Sequence, residues 1–296
     1  IELCIAIAEG RTWLNWQCTK GKVLYVNLEL DRASCLHRFK DVYTALGWNA
    51  NNLKNIDIWN LRGKSVPLDK LAPKLIRRAQ KLEYIAVVID PIYKVITGDE
   101  NSASEMAHFT NQFDKICTEL GVAVIYCHHH SKGYQGNKRS MDRASGSGVF
   151  ARDPDALLDL TELDLNESIL KQEKNKAKAI AIGLALQKLD IEYYEKEVGD
   201  DDLYSSSQME WHMKQALSSS KQREVQSLIE KAEEKVKYKC AWRIEGTLRE
   251  YAGFEPVNLW FEYPIHKTDT KGILQDVMPE SEKPPWQKGV EKRKSK

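Results

Sequence analysis

The chain has 296 residues, with 44 Lys and Arg against 43 Asp and Glu and a formal net charge of +1. That length implies about two domains, or one domain with an appendage. The near-neutral balance excludes nucleic-acid recognition by bulk charge, so any such footprint is local.

Ile1–Ala8 is crowded with apolar residues and Gly10 stands where a helix C′ cap belongs, so IELCIAIAEG reads as the latter part of a buried helix. A further segment upstream is expected. RTWLNWQCTKG reads as a loop. Lys22–Leu28 is a buried-type strand leading to Glu29 and Asp31, and a helix from Asp31 to Leu46 is capped by Gly47. Asn55–Trp59 is a short strand, and Leu68–Leu82 an amphipathic helix. Tyr84–Asp90, YIAVVID, is an almost unbroken apolar run rich in β-branched residues, which suits a strand buried on both faces. Pro91 has no N–H and stops its ladder. Ser102–Leu120 is a helix ended by Gly121, and Val122–Cys127 a further strand that runs into His128, His129 and His130. Strands alternating with helices of this length predict a parallel α/β sheet.

From Ser131 to Gly148 the chain is rich in Gly, Ser and cations and has no hydrophobic period, so it reads as a mobile loop. Asp155–Leu160 is a candidate strand and Lys171–Lys178 a charged turn or hairpin tip; Ile180–Leu189 reads as a strand or a helix, with the IEYY that follows favouring a strand. Glu192–Ser207 has the composition of a linker. Ser207–Lys239 reads as a polar helical insertion with few apolar anchors. CAWRIEGTLREY and VNLWFEYPIH alternate apolar and polar residues, as two strands of an antiparallel hairpin do. The six cysteines form no CxxC pair, which suits reduced thiols in a cytoplasmic protein. No apolar stretch approaches the ~20 residues of a membrane span, and no signal peptide is visible.

Glu29, Asp90 and His128/His129 each follow the carboxyl end of a buried strand, and open α/β sheets bind ligands at that edge. The coincidence predicts a nucleotide or metal site. Asp90 reads either as a turn former ending a core strand or as a carboxylate holding Mg²⁺ beside phosphates. Glu29 is either a neighbour of the helix cap or a general base for a water attacking the γ-phosphate. Asp31 is the second candidate for that base, although its position suits an N-cap. Strand alternation puts His128 and His130 on one side and His129 on the other. They read as ordinary strand-end histidines, as metal ligands, or as donors that sense a γ-phosphate, with Lys132 adding charge. Lys132, Lys138, Arg139 and Arg143 form either a solvated loop or a grip on a DNA backbone. Arg152 either pairs locally with Asp153 or Asp155 or reaches outward. LRGKS at Leu61–Ser65 lacks the first glycine of a phosphate loop, because Ile58 stands there; the chain contains no G-x-x-x-x-G-K-[ST].

VLYVNLELD, YIAVVIDPIYKV, VIYCHHHSKG and RASGSGVFARDPDA together resemble the RecA-like hexameric ATPases. The nearest group is the AAA-type ATPases of phages and plasmids related to the plasmid replicative helicase RepA. WRIEGTLREY and FEPVNLWFEYPIH resemble the C-terminal strands of prophage members. The resemblance covers about residues 1–160 and 242–266 and departs from the family in lacking the Walker A loop, whose place is just upstream of the first helix. It implies a P-loop NTPase core of the RecA-like kind, with a C-terminal antiparallel hairpin and a helical insertion. The expected organisation is a core over 1–198, the insertion over 199–240, strands completing the core over 241–266, and a disordered basic tail over 267–296. The resemblance makes Asp90 the Walker B aspartate and Mg²⁺ ligand, Glu29 the catalytic glutamate, and His128 or His129 the phosphate sensor. Arg152 becomes the arginine finger, with Arg143 as the alternative. ATP and Mg²⁺ are the implied cofactors, single-stranded DNA and further copies in a ring hexamer the implied partners, and helicase, helicase loading or recombination the implied roles. Two other readings compete: a nucleotide-free DNA-binding scaffold that uses the basic loop 131–148, and a metal-dependent hydrolase built on His128, His130, Asp90 and Glu29.

Overall fold

A computed structural model describes residues 1–129 and 148–279, the side chain of residue 151 excepted. The described residues form two compact units: residues 1–162 with 242–270 and 278–279, and residues 163–241 with 271–277.

In the first unit, α1 (Glu2–Glu9) ends at Gly10, which adopts φ 67 and donates its N–H back into the last turn. A side chain would be strained in that left-handed conformation, so glycine is required where the helix stops. The expected loop that follows is a small hairpin, β1 (Thr12–Trp13) with β2 (Trp16–Gln17). Its Trp13 and Trp16 rings lie 5.6 Å apart, and their mutual burial offsets the cost of ordering a two-residue pair.

The parallel sheet follows the apolar runs. Its strands are β3 (Lys22–Asn27), β4 (Ile56–Asn60), β5 (Tyr84–Asp90) and β6 (Ala123–Tyr126), in the order β4-β3-β5-β6. Every pairing is parallel. Helices α2 (Arg32–Leu46), α3 (Leu68–Ala79) and α4 (Ala103–Leu120) connect the strands. Successive strand residues face opposite sides, so the sheet has two cores. Leu24, Val26, Val87 and Ile89 pack with Leu71, Leu75, Met106 and Ile116 of α3 and α4. Val23, Tyr25, Ala86 and Val88 pack with Ile5, Ile7, Phe39 and Val42 of α1 and α2.

A short helix, α5 (Val149–Arg152), precedes β7 (Ala156–Leu163). β7 joins β8 (Cys240–Leu248), β9 (Val257–Glu262) and β10 (Ile265–Thr268) in a second sheet of order β10-β9-β8-β7. The expected C-terminal hairpin over 241–266 therefore does not extend the parallel sheet. It recruits β7 and the added strand β10 instead. β9 and β10 are antiparallel through the Glu262↔Ile265 register. β10 still reaches the first core: Ile265 packs among the residues of α1 and α2, and His266 donates its backbone N–H to Glu2 at 3.1 Å.

The second unit is helical: α6 (Glu167–Leu189), α7 (Ile191–Glu197), α8 (Ser206–Ala216) and α9 (Ser219–Val236). This corrects the expected turn at Lys171–Lys178 and strand at Ile180–Leu189, which are one helix. AIAIGLAL alternates in size, which mimics a strand, but Ala and Leu are strong helix formers and the buried positions Ala179, Ile182 and Leu186 recur at helical spacing. Asn166 caps the helix, accepting from the Ile169 N–H at 3.0 Å. The polar insertion also has a core of its own, in which Met209, Met213, Leu217, Val225 and Ile229 pack on Ala179, Ile182 and Leu186. A Cβ at Gly183 would lie 3.5 Å from the Met209 methyl and 3.6 Å from Leu203, ordinary contact distances, so the packing of α8 there does not require glycine. The division falls after Glu162 rather than at the expected residue 198. The expected disordered tail over 267–296 is corrected at its start, where β10 runs to Thr268 and Leu274 and Val277 are buried; residues 280–296 lie outside the described residues. Among the described residues no helix is long and apolar enough to cross a membrane.

The helical core makes a direct prediction. Leu186 is fully buried and Leu184, two residues away, is 62% exposed. Leu186→Ala is expected to destabilise the helical unit by about 3 kcal/mol through lost burial and a residual cavity. Leu184→Ala should change stability by less than about 0.5 kcal/mol. Urea titrations followed by far-ultraviolet circular dichroism measure both, and equal effects would contradict this core.

Candidate active site

The parallel register brings polar strand ends together. Asn27 at the end of β3 is aligned with Asn60 of β4 and with Asp90 of β5. The Leu28 N–H donates to the Asp90 carbonyl at 3.0 Å, and the Cys127 N–H donates to the Ile89 carbonyl at 3.2 Å. Glu29, Asp90 and His128 are thus delivered to one edge of the sheet by three neighbouring strands.

Asp90 is half-buried. Its Oδ2 accepts a 2.6 Å hydrogen bond from the Tyr25 hydroxyl, two residues before the end of β3. Burial raises the Tyr25 pKa, and the Asp90 charge and this hydrogen bond raise it further, so Tyr25 remains a donor to the carboxylate. On its other flank Asp90 meets Cys127. Desolvation, and then the Asp90 charge, push that thiol up to about 12.

Glu29 is exposed in the turn after β3, and that turn is built by Asn27. The buried Asn27 carboxamide accepts from the Leu30 N–H at 2.9 Å and the Glu29 N–H at 3.3 Å. It donates to the Leu30 carbonyl at 2.7 Å and to Asn60 Oδ1 at 2.8 Å. Asp31 caps α2, accepting from the Ser34 N–H at 3.0 Å and from its hydroxyl at 2.5 Å. Those bonds lower its pKa, the hydroxyl bond foremost. Asp31 is engaged as a cap, and Glu29 is the carboxylate presented to solvent.

The two described histidines diverge. The His128 ring lies 4.8 Å from Phe150 of α5, while the His129 ring lies 5.6 Å from Tyr93 in the turn after β5. Phe150 is buried and also meets Phe109 of α4 at 6.1 Å, so it anchors α5 beside His128. Arg152, two residues on, is exposed at a cleft of about 360 Å³ lined also by Ala103, Gly148, Val149 and Asp153. Its guanidinium has no ion-pair partner among the described residues. The expected local pair with Asp155 is taken by Arg249, whose Nη1 lies 3.2 Å from Asp155 Oδ1. Arg249 also donates from Nη2 to the carbonyls of Arg152 at 2.7 Å and Asp153 at 2.5 Å. One side chain from the end of β8 therefore holds the turn that carries Arg152.

His130, Lys132, Lys138, Arg139 and Arg143 lie outside the described residues. Among the described residues no three His, Cys, Asp or Glu side chains are gathered closely enough to hold a metal ion by themselves. A magnesium ion shared with phosphates needs less, one or two carboxylates with water completing the shell, and Asp90 fits that role. Tyr25, Asn27, Asn60 and Arg249 are the contributors that reading the sequence missed. Asn27 was legible in principle, because the turn it holds lies two and three residues ahead of it. Asn60 and Arg249 depend on pairings across 33 and 97 residues.

Residues 1–135, the segment from α1 to just beyond β6, match the family model described as an AAA domain. No curated protein matches the chain. The domain match supports nucleotide-dependent ATPase chemistry of the AAA, P-loop-like kind for this segment.

The thiol beside Asp90 reports on the carboxylate without any nucleotide. Cys127 keeps solvent contact, so a reagent can reach it. Asp90→Asn removes a charge that raises the thiol pKa, which moves the pKa down from about 12 and increases the thiolate fraction. Alkylation of Cys127 by iodoacetamide at pH 8, mapped by peptide mass spectrometry, should accelerate roughly three- to tenfold. An unchanged rate would show that the two groups do not interact.

Proposed function

We propose that this chain is a DNA-acting motor ATPase of the RecA-like kind, working in the cytoplasm as a ring hexamer. Its role is that of a replicative helicase, or of a helicase loader or recombination ATPase, of phage or plasmid type. The observation that carries the reading is the row of strand ends. A carboxylate held by a buried tyrosine, an exposed glutamate on a braced turn and a histidine share the ligand-binding edge of a parallel sheet, in a segment matching an AAA domain.

In this reading Asp90 holds Mg²⁺, which when bound neutralises phosphate charge. Tyr25 fixes the orientation of the Asp90 carboxylate by donating to it. Glu29 orients the attacking water and accepts its proton. His128 donates to the γ-phosphate, and His129, turned toward Tyr93, is the less favoured sensor. Arg152 extends toward a neighbouring copy. Lys132, Lys138, Arg139 and Arg143 bind the backbone of single-stranded DNA, and Lys132 adds charge near the phosphates. Residues 1–296 contain no G-x-x-x-x-G-K-[ST], and a nucleotide-free DNA-binding scaffold is the competing reading. The test must therefore supply that loop.

In a chain extended ahead of α1 by such a loop, Glu29→Gln should retain MgATP binding and lose kcat by about 10²-fold or more, because the amide cannot take a proton. Asp90→Asn should also weaken Mg²⁺-dependent binding. Calorimetry and a phosphate-release assay separate the two effects. No hydrolysis by the extended wild-type chain, with DNA bound through the basic segment, would favour the scaffold. Loss of turnover in Asp31→Asn but not in Glu29→Gln would move the base.

Arg152→Ala should bind nucleotide and assemble, yet hydrolyse about 10³-fold more slowly. Mixing Arg152→Ala with Glu29→Gln subunits should restore part of the activity, because a mixed interface can combine an intact base with an intact finger. Full activity of Arg152→Ala alone, or no recovery in mixtures shown to co-assemble, would remove Arg152 from the site.

A further inference from the structure

Asn27 is 1% exposed, an unusual place for a carboxamide unless its hydrogen-bonding capacity is used. Four bonds use it. Three hold the turn that follows β3, through the N–H groups of Glu29 and Leu30 and the Leu30 carbonyl. The fourth goes to Asn60 Oδ1 on the neighbouring strand. Two further links tie the exits of β3 and β4. The Leu61 N–H donates to the Asn27 carbonyl at 2.8 Å, and Arg62 lies 3.9 Å from Asp31. A strand needs none of these bonds to end. A leucine would fill a buried site without four polar partners, but it would leave the Glu29 and Leu30 amides without their acceptor.

We propose that Asn27, oriented by Asn60, is a positioning residue for Glu29. Its carboxamide fixes the turn so that the glutamate leaves the sheet edge in one direction. The inference rests on the reading of Glu29 as the water-activating carboxylate. Catalysis is sensitive to such placement, since an error of about 1 Å in a reacting group costs roughly 10²-fold in rate. Asn60 supplies the external reference. Because its oxygen accepts from Asn27, the Nδ2 group is turned toward Asn60 and Leu30, and Oδ1 is left aimed at the two amides of the turn. The amide orientation is thereby set from the neighbouring strand.

The test has a structural arm and a kinetic arm. In residues 1–296, hydrogen exchange at the Leu30 amide should accelerate roughly tenfold in Asn27→Ser and in Asn60→Ala, as expected when a buried acceptor is lost or loosened. In the loop-extended chain the same variants should lower kcat for ATP about 10²-fold for Asn27→Ser, and less for Asn60→Ala, with KM unchanged. Asn60→Gln, which keeps an acceptor, should recover part of the loss. A merely structural role would lower stability and leave the kcat of the folded fraction intact. Asn60→Ala removes an acceptor at the strand end without opening the core, so it serves if Asn27→Ser does not fold. Faster exchange with unchanged kcat, while Glu29→Gln abolishes turnover in the same assay, would overturn the proposal. Turnover that survives Glu29→Gln would instead overturn the reading of Glu29 on which it rests.

Discussion

The register of one strand governs the rest of the molecule. β3 lies between β4 and β5 and is parallel to both, with Asn27 level with Asn60 on one side and with Asp90 on the other. A slip of one residue would reverse every side chain on β3. Tyr25 would leave Asp90, Asn27 would leave the turn it holds, and Val23 would exchange cores with Leu24. The apolar identity of both faces makes that slip costly, so the packing that stabilises the sheet also sets the positions of the polar groups at its edge. Core and site are two results of the same registration.

Much of this was legible in the sequence. Strands β3, β5 and β6 are largely continuous apolar runs, and helices α2 and α4 are bounded by Asp31, Gly47, Ser102 and Gly121, residues whose capping chemistry is local. Local chemistry is visible in a linear string. Placing Glu29, Asp90 and His128 at one edge followed from strand direction alone. The long-range braces were not legible, because each is a pairing between distant segments. Tyr25 reaches Asp90 across 65 residues, and Arg249 reaches the Arg152 turn across 97. The alternative in which Arg152 pairs locally with Asp155 failed for this reason. A charge three residues away is visible in the sequence, whereas the competing guanidinium arrives from the end of β8, the neighbour of β7 in the second sheet.

The helical unit fails as a sequence reading in a different way. Its apolar residues are small or dispersed, and its longest helix buries Ala179, Ile182 and Leu186 while leaving Ile180 and Leu184 in solvent. Apolar side chains on both faces blur the helical period, and the size alternation of Ala and Ile imitates a strand. Polar residues do structural work there as well. Buried His212 lies between the Tyr193 hydroxyl at 3.2 Å and Asp202 at 3.1 Å. Buried Glu173 pairs with Lys239 at 2.8 Å. A composition that reads as a solvated insertion thus encloses a core and buried polar contacts.

The second sheet sets how that insertion is joined to the chain. β7 leads into residues 163–241 and β8 leads out of them, and the two strands are hydrogen-bonded neighbours. The Arg249 N–H donates to the Asp155 carbonyl at 2.8 Å, so the start of β7 faces the end of β8 and the strands run antiparallel. The end of β7 and the start of β8 are therefore also side by side. An insertion whose two ends meet at one strand pair adds little closure entropy to the body it interrupts, and such places tolerate gain and loss of whole segments. In evolutionary terms the helical segment is a cassette on a hairpin stem. A lineage could lengthen it, exchange it or reduce it to a turn while β7 and β8 kept their register, leaving the edge that carries Asp90 and Glu29 to change at its own pace.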